Sequence, residues 1–158
     1  MSRIGLVMTP HPGKLVKIWI KRSKLGPMDE KSEALLLKGR GIAGNANQGG
    51  KRQVTLLALE GWQSALSEIG ADNEVSPRER RANLLVSGVD LRESRGRVLR
   101  IGAVRLRVYG ETRPCEQMDG ARPGLRSALK ADWRGGCFGE VLDDGTIAIG
   151  DEVAWLES

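Results

Sequence analysis

The sequence consists of short, strand-length apolar segments separated by glycine-containing turns, and this pattern restricts the fold more than any other feature. The clearest segment is VRLRVYG, in which Val104, Leu106 and Val108 alternate with two arginines and a tyrosine. A period of two places successive side chains on opposite faces of a strand, so one face is buried and the other carries arginine. The chain is therefore expected to fold mainly as β-structure.

Eight further segments have the length and composition of strands, and they cover residues 15–21, 33–37, 52–59, 82–88, 98–101, 137–142, 146–150 and 152–156. Two helices are predicted over residues 59–70 and 122–133, where apolar residues recur three or four positions apart. About nine strands and two short helices predict one domain of mainly β class. We expect a closed or nearly closed β-barrel with helices at its ends, and an exposed loop over residues 22–33.

Positive charge is concentrated in the middle of the chain. Residues 78–134 carry 14 Lys and Arg against 7 Asp and Glu, and 13 of the 14 cations are arginine. Residues 135–158 carry six carboxylates and no cation. Arginine presents a planar fork that suits phosphate or carboxylate, although a high-GC genome, which favours arginine codons, would produce the same excess. The middle block is where an anionic ligand is expected to bind.

The expected compartment is the cytoplasm, without membrane association. No stretch approaches the ~18 apolar residues of a membrane span, and the apolar patch Ile4–Met8 is too short for a signal-peptide core. Two cysteines without a secretory signal are expected to be reduced thiols.

Several chemistries lack the residues they need. His11 is the only histidine, and nothing in the sequence places it beside a nucleophilic cysteine or serine. Cys115 and Cys137 lie 22 residues apart with no CxxC pair, so a zinc-binding spacing is missing. Asp143 and Asp144 precede a glycine in LDDGTI, which predicts a hairpin turn and not a pair of catalytic carboxylates.

Two segments are candidate anion sites. The glycine-rich loop Gly39–Gln53 matches neither the P-loop nor the dinucleotide pattern, but its glycines would let backbone amides approach a phosphate. An ordinary long loop is the alternative. Arg80 and Arg81 precede a predicted strand, and the spacing of Arg81 and Asn83 predicts a shared face for a phosphate or a purine-like ring. A solvated run of charges is the alternative for this segment.

Cys115 lies in the loop YGETRPCEQMD, directly after a proline that restricts the backbone. Arg113 would favour its thiolate, whereas the neighbouring carboxylates Glu111, Glu116 and Asp119 would oppose it. Residue type alone leaves open whether this thiol is functional. Cys137 begins an apolar strand and is predicted to be a buried core thiol.

A set of motifs, taken in order, resembles the MOSC domain family, which is named for the C-terminal domain of molybdenum cofactor sulfurases. The motifs are RQVTLL after the glycine-rich loop, RRANLLVSGVDL, GRVLRIGAVRLRVYGETRPCEQM and WRGGCFGEVLDDGTIAIGDEV. The similarity runs from about Gly39 to Val153, and its most specific parts are the R-x-N-L element and the Pro-Cys pair. The resemblance implies a mainly β fold of the MOSC/PK β-barrel-like type, with the whole chain, 1–158, as a single MOSC domain.

The ligand that the resemblance implies is the molybdenum cofactor, a phosphorylated pterin dithiolene. The family cysteine corresponds to Cys115, which would either coordinate molybdenum or carry sulfur as a persulfide. Pyridoxal phosphate binding is associated with the family at a general level. The residues implied to bind the cofactor are Arg81, Asn83, Arg80, Arg113, Gly44 and Asn45.

This chain departs from the family pattern in its glycine-rich loop. Many relatives carry Gly-Asp followed by histidine or arginine, whereas this chain has Gly44-Asn45-Ala46-Asn47, which keeps the shape but drops the charge. The chain is also expected to stand alone, without the aminotransferase-like cysteine desulfurase domain of the sulfurases or the iron–sulfur or flavin domain of reductase relatives. A cysteine desulfurase or an electron-transfer protein is therefore the implied partner.

The resemblance implies a cofactor-binding protein that carries sulfur or reduces N-hydroxylated compounds with separate electron-transfer partners. Two alternatives stay open. One is a non-catalytic binding module for RNA or another polyanion, favoured by the arginines but opposed by the low aromatic content of 4%, because single-strand binders use stacking platforms. Nucleic acid is thus not the expected partner. The other is a family member that binds a different phosphate-bearing small molecule, which the Asn45 departure favours.

Overall fold

The computed structural model describes residues 12–156. His11 and the Ile4–Met8 patch lie outside these residues. Within them, the strands are β1 Gly13–Lys21, β2 Met28–Lys31, β3 Glu33–Leu37, β4 Gly41–Ile42, β5 Val54–Ala58, β6 Leu84–Ser87, β7 Val98–Ile101, β8 Val104–Glu111, β9 Cys137–Val141, β10 Gly145–Ala148 and β11 Glu152–Trp155. The helices are α1 Leu59–Glu68, α2 Gln117–Ala121 and α3 Leu125–Leu129, with 3₁₀ turns at Pro77–Arg80 and Ala131–Trp133.

Seven strands form a closed barrel in the order β11-β7-β8-β9-β5-β6-β1. Closure is made by β1 and β11, which pair antiparallel through Lys14 with Glu152 and Gly13 with Val153. The β5–β6 pair is parallel, because α1 connects the two strands as a crossover. Strand β2 pairs with β1 beyond the barrel, and β10, β3 and β4 form a separate small sheet. The predicted mainly β, barrel-like class is confirmed.

The barrel interior is filled by alternate side chains of its strands. Val104, Leu106 and Val108 of β8 are each at most 1% exposed, as their period of two predicted. They belong to a continuous apolar cluster that includes Leu56 and Leu84 from the parallel strands. Burying an apolar side chain of this size contributes roughly 1.5–3 kcal/mol, so the interior cluster is the main stabilising feature of the fold.

A second apolar cluster lies between the helices and the outer side of three barrel strands. Trp19, Leu57 and Leu85, each adjacent in sequence to an interior residue, are buried against helical side chains such as Trp62 and Leu129. The helices therefore pack on the wall of the barrel and not at its ends, which corrects the sequence expectation. This layer explains why β1, β5 and β6 carry apolar residues on both faces and do not alternate.

The structure differs from the sequence predictions in one loop and in the helical region after β8. Residues 22–33, expected to be an exposed loop, include β2, whose Met28 is 2% exposed and packs in the helical layer. The second predicted helix is shorter than expected, because α3 ends at Leu129 and a 3₁₀ turn follows it. Sequence patterning also missed α2, since that helix is only five residues long and buries a single apolar side chain, Met118.

Asp143 and Asp144 have structural roles, but the predicted hairpin is wrong. Strand β10 pairs with β3 and not with β9, so LDDGTI carries the chain from the barrel to the small sheet. Asp143 pairs with Arg105 at 2.9 Å, and this hydrogen-bonded guanidinium lowers the pKa of the carboxyl. Asp144 accepts a hydrogen bond from the Lys38 backbone N–H at 2.7 Å.

Within residues 12–156, none of the helices has the length and apolar composition that a membrane crossing needs.

Candidate functional site

A cavity of about 250 Å³ is lined by five cationic side chains and one carboxylate, and we call it the basic cavity. It lies between the β1–β2 connection, the segment before β6 and the end of β8. The cations are close enough to influence one another: burial lowers the pKa of Lys21, and the charges of Arg81, Arg52 and Lys24 lower it further. The charged lining residues are Lys21, Lys24, Arg52, Glu79, Arg80 and Arg81.

Arg81 reaches the basic cavity from a left-handed turn that precedes β6. Its φ is 64°, it ends the 3₁₀ turn Pro77–Arg80, and β6 begins only at Leu84. The expectation that Arg81 and Asn83 share a strand face is therefore wrong. Both nevertheless line the cavity, because the turn brings them to the same side. Arg81 Nη2 donates a 2.6 Å hydrogen bond to the Gly26 carbonyl, which ties the turn to the β1–β2 connection.

Asn83 is 4% exposed, and its carboxamide is occupied by protein partners. Its Oδ1 accepts from the Thr55 backbone N–H at 3.1 Å and from the Thr55 hydroxyl at 3.2 Å. Its Nδ2 donates to the Trp19 carbonyl and to Asn45 Oδ1, both at 3.1 Å. Asn83 therefore fixes β1, β5 and the glycine-rich loop relative to one another at the floor of the cavity.

The glycine-rich loop is anchored through Asn45. Asn45 Oδ1 accepts from the Lys21 backbone N–H at 2.9 Å as well as from Asn83, and an aspartate there would accept the same two bonds. Asn45 Nδ2 is buried without a partner among the described residues. Neither Gly44 nor Asn45 lines the basic cavity, and the loop contributes Asn47 and Arg52 instead.

Arg80 connects the basic cavity to the segment that carries Cys115. Its Nε donates to the Gly135 carbonyl and its Nη2 to the Thr112 carbonyl, both at 2.9 Å. Burial lowers the pKa of Arg80, while a thiolate charge at Cys115 acts in the opposite direction, so the two groups are within electrostatic reach. The guanidinium thus holds the backbone on either side of the cavity and adds a positive charge near the thiol.

Cys115 is exposed, and the residue before it, Pro114, is buried. The Cys115 carbonyl accepts a 3.0 Å hydrogen bond from the Met118 backbone N–H, and the buried Met118 side chain anchors the following helix. This combination presents the sulfur to solvent from a backbone held on both sides. Cys137, in contrast, is 0% exposed, and burial raises the pKa of its thiol to about 12, which confirms its prediction as a core residue.

The carboxylate of Asp119, close to Cys115 in sequence, has a structural role. Its Oδ1 accepts from the backbone N–H groups of Gly124 at 3.2 Å and Arg126 at 3.1 Å, so it holds the turn between α2 and α3. Arg113 does not line the basic cavity, but it lines an adjacent cleft beside Pro114.

The basic cavity is suited to a phosphate-bearing ligand such as the molybdenum cofactor. Thr112 Oγ1 is buried without a partner among the described residues, and Thr112 lines this cavity. An unsatisfied buried hydroxyl costs about 1–3 kcal/mol and favours a ligand that bonds to it. Within residues 12–156 no cluster of three histidine, cysteine or acidic side chains is placed to hold a metal by itself.

A larger cavity of about 460 Å³ lies against α1, but its three carboxylates, Glu60, Asp90 and Asp132, outnumber its two arginines. Its arginines are paired, Arg92 with Asp90 at 2.7 Å and Arg134 with Glu68 at 3.1 Å. Since both arginines are neutralised by carboxylates, this cavity is less suited to an anionic ligand than the basic cavity.

A family model described as MOSC domain matches residues 43–154, which is more than two thirds of the chain. The chain belongs to the MOSC domain family. The match agrees with the resemblance inferred from the sequence motifs, and it includes Cys115 and every arginine of the basic cavity. Comparison of this MOSC protein with curated proteins finds no match.

Three solved structures have the same fold as this MOSC protein. The YuaD protein of Bacillus subtilis is 22% identical with a TM-score of 0.73, over 89% of this chain and 93% of the other. YiiM of Geobacillus stearothermophilus is 17% identical with a TM-score of 0.71, over 92% and 76%. YiiM of Escherichia coli is 15% identical with a TM-score of 0.66, over 92% and 70%. At these identities the similarity establishes the fold alone.

Sequence reasoning found part of this site. Three predicted residues line the basic cavity and Cys115 lies within electrostatic reach of one of them, Arg80, while Lys21, Lys24 and Thr112 were missed. The basic run KRSK at residues 21–24 was the available signal for the lysines, but it was assigned to an exposed loop. No sequence signal identified Thr112, because its role depends on which face of the β8 extension turns towards the cavity. The predicted residues that line it are Arg80, Arg81 and Asn83.

Proposed function

We propose that this MOSC protein binds the molybdenum cofactor in the basic cavity, with Cys115 as a molybdenum ligand or as a sulfur carrier. The observation that carries the proposal is the convergence of five cations and an unpartnered hydroxyl in a cavity whose wall leads to an exposed cysteine. Charge-assisted hydrogen bonds from arginine and lysine are the contacts that phosphate binds most strongly in proteins.

Each cation of the basic cavity has a distinct expected role. Lys21 and Lys24 act as mobile point charges, whereas Arg52 and Arg81 offer planar forks to phosphate oxygens. Arg80 already donates two hydrogen bonds to backbone carbonyls. Its expected role is therefore to hold the backbone around the cavity and to add positive charge at longer range. The enclosed volume of about 250 Å³ is slightly below the ~300 Å³ of small ligand pockets, so part of the cofactor would extend to solvent.

Cys115 is placed for either of two roles. As a metal ligand it would be held as the thiolate by the cation it binds. As a sulfur carrier its thiolate would attack the terminal sulfur of a donor persulfide: an S–S bond forms at Cys115 while the donor's S–S bond breaks and leaves a donor thiolate. The donor in this case is a cysteine desulfurase, and the exposed position of Cys115 gives such a protein access.

If the protein is an enzyme, we propose that it reduces N-hydroxylated compounds. The bound cofactor supplies two-electron redox chemistry, and an electron-transfer partner supplies the electrons. Cleavage of the N–O bond takes up two electrons and two protons and releases water. The protein's own cations would bind and orient the cofactor, and Arg80 would keep the Cys115 segment in place during turnover.

Metal and pterin analysis tests this proposal directly. The protein is purified from cells that make the cofactor, and molybdenum is measured by mass spectrometry alongside released pterin by fluorescence. Absence of molybdenum from the wild type under these conditions would contradict cofactor binding. Loss of molybdenum from Cys115→Ser supports the ligand role, whereas full retention leaves only the carrier role. Because Cys115 is exposed, the serine variant is expected to unfold at the wild-type temperature.

The rival function, binding of RNA or another polyanion, is opposed by the lining of the basic cavity. None of the residues that line it is aromatic, and sequence-tolerant single-strand binders stack bases on aromatic rings. Single-stranded RNA binding that weakens with salt and survives Cys115→Ala would favour this rival over cofactor binding.

A further inference from the structure

Another cleft is lined in part by Arg113 and Pro114, the two residues that precede Cys115 in the chain. We call it the second cleft; its volume is about 510 Å³, within the range of small-molecule pockets, ~300–1,000 Å³. Its walls come from the last residue of β8 and the segment that follows it, and from α3 with the residue after it. The lining residues are Glu111, Arg113, Pro114, Arg126 and Lys130.

The cations of the second cleft are not neutralised by the protein. Arg113, Arg126 and Lys130 face one carboxylate, Glu111, and none of the four forms an ion pair within the part of the chain that the structure describes. Arg126 Nε is buried and has no hydrogen-bond partner there. The cleft therefore has a surplus of positive charge and an unused donor, which an anionic group would satisfy.

Cys115 belongs to a chain segment whose other residues line both sites. Along this segment Thr112, Gln117 and Met118 line the basic cavity, whereas Arg113 and Pro114 line the second cleft. Cys115 is exposed between them. Because Cys115 directly follows Pro114 in the chain, a molecule bound in the second cleft lies beside the residue that carries the sulfur.

We propose that the second cleft binds the carboxylate of a small organic substrate and directs that substrate to Cys115. Two arginines offer planar forks that match a carboxylate, and the lysine adds a point charge. The concave shape and the volume suit a small molecule better than a flat protein surface. This inference names the substrate class for the proposed function and rests on Cys115 being the reactive group of that function.

Thiol alkylation tests the cleft without any need for the cofactor. The full chain is produced in cells that cannot make the molybdenum cofactor, so that Cys115 is free whether or not the cofactor proposal holds. Iodoacetate and iodoacetamide have the same shape, but only iodoacetate carries a carboxylate. In both reactions the thiolate forms an S–C bond as iodide leaves. Cys137 is 0% exposed, so the measured rate in the folded protein reports Cys115.

The measured quantity is the ratio of the iodoacetate rate to the iodoacetamide rate. We expect Arg126→Gln with Lys130→Gln to lower this ratio about fivefold, the scale of one charge contact near solvent. Lys130→Gln alone, at an exposed position, should lower it in the same direction without a change in unfolding temperature. Arg40→Gln removes one charge at an exposed position that lines neither site, and it should leave the ratio unchanged.

Two outcomes would overturn the inference. One is a ratio in the double variant within about 1.5-fold of the wild type, less than a single surface charge contact is worth. The other is a larger fall in Arg52→Gln, a variant of the basic cavity, than in the double variant. Either outcome would contradict carboxylate binding in the second cleft without bearing on cofactor binding in the basic cavity, which the metal and pterin analysis tests separately.

Discussion

Replacement of Asn83 by alanine should destabilise the protein strongly, because this side chain is a structural connection inside the candidate site. Asn83→Ala removes four hydrogen bonds, to the Thr55 backbone and hydroxyl, to the Trp19 carbonyl and to Asn45. At about 1 kcal/mol net for each bond, the free energy of unfolding should fall by about 4 kcal/mol. For a chain of this length that corresponds to a melting temperature lower by about 10 °C.

Urea unfolding followed by circular dichroism measures this loss, and the slope of free energy against urea should stay unchanged. Asn47→Ala is the matched control. Asn47 lines the same cavity, but its side chain makes no hydrogen bond with the described residues, so the expected change is below about 0.5 kcal/mol. If the free energy of unfolding of Asn83→Ala lies within about 1 kcal/mol of the wild-type value, the assigned hydrogen bonds do not hold the cavity floor.

Three further perturbations have expected outcomes. Arg80→Met removes two 2.9 Å bonds to backbone carbonyls and should lower the urea-derived unfolding free energy by about 2–3 kcal/mol; a near-neutral result would contradict the positioning role. The pKa of Cys137, raised to about 12 by burial, keeps the thiol protonated in the folded state, so stability should fall by roughly 1 kcal/mol per pH unit between pH 9 and 11. Cys137→Ala should reduce this dependence of stability on pH, and an unchanged dependence in the variant would contradict the assignment to Cys137. Gly136→Ala should abolish soluble folded protein, because φ is 100° and the added carbon would lie 2.1 Å from the Leu56 carbonyl oxygen. Gly120→Ala is the control: a methyl group there meets open space, so the melting temperature of this variant should match or exceed that of the wild type.

The barrel could be predicted from sequence because its signal is local. Successive residues of a strand lie on opposite sides, so the alternation in β8 shows directly which side chains face the interior. The apolar run in β6 likewise indicates a strand from neighbouring residues alone. The outward apolar residues Trp19 and Leu57 were not predictable as such, since their burial depends on helices that lie elsewhere in the chain. The short helix α2 was missed for the same reason, because one buried methionine gives no periodicity.

The candidate site was predicted in its residue types but not in its geometry. Arg81 was found from its spacing to Asn83, yet its side chain reaches the cavity through a left-handed turn that propensity does not reveal. Lys21 joined the site because the β1–β2 connection folds against the glycine-rich loop, a long-range contact made by Asn45. Arg113 was assigned to the cofactor because it lies two residues before Cys115 in sequence, but it lines the second cleft and not the basic cavity.

The pterin content of the purified protein decides whether the basic cavity holds the cofactor. We expect the wild type from cofactor-producing cells to carry pterin and the Arg52→Gln, Arg81→Gln double variant to lose at least about 90% of it, since two phosphate contacts at ~1 kcal/mol or more reduce affinity more than tenfold. Arg40→Gln, with one exposed charge removed, should retain the wild-type amount. Equal pterin in the wild type and a correctly folded double variant would contradict the assignment of this cavity as the cofactor site.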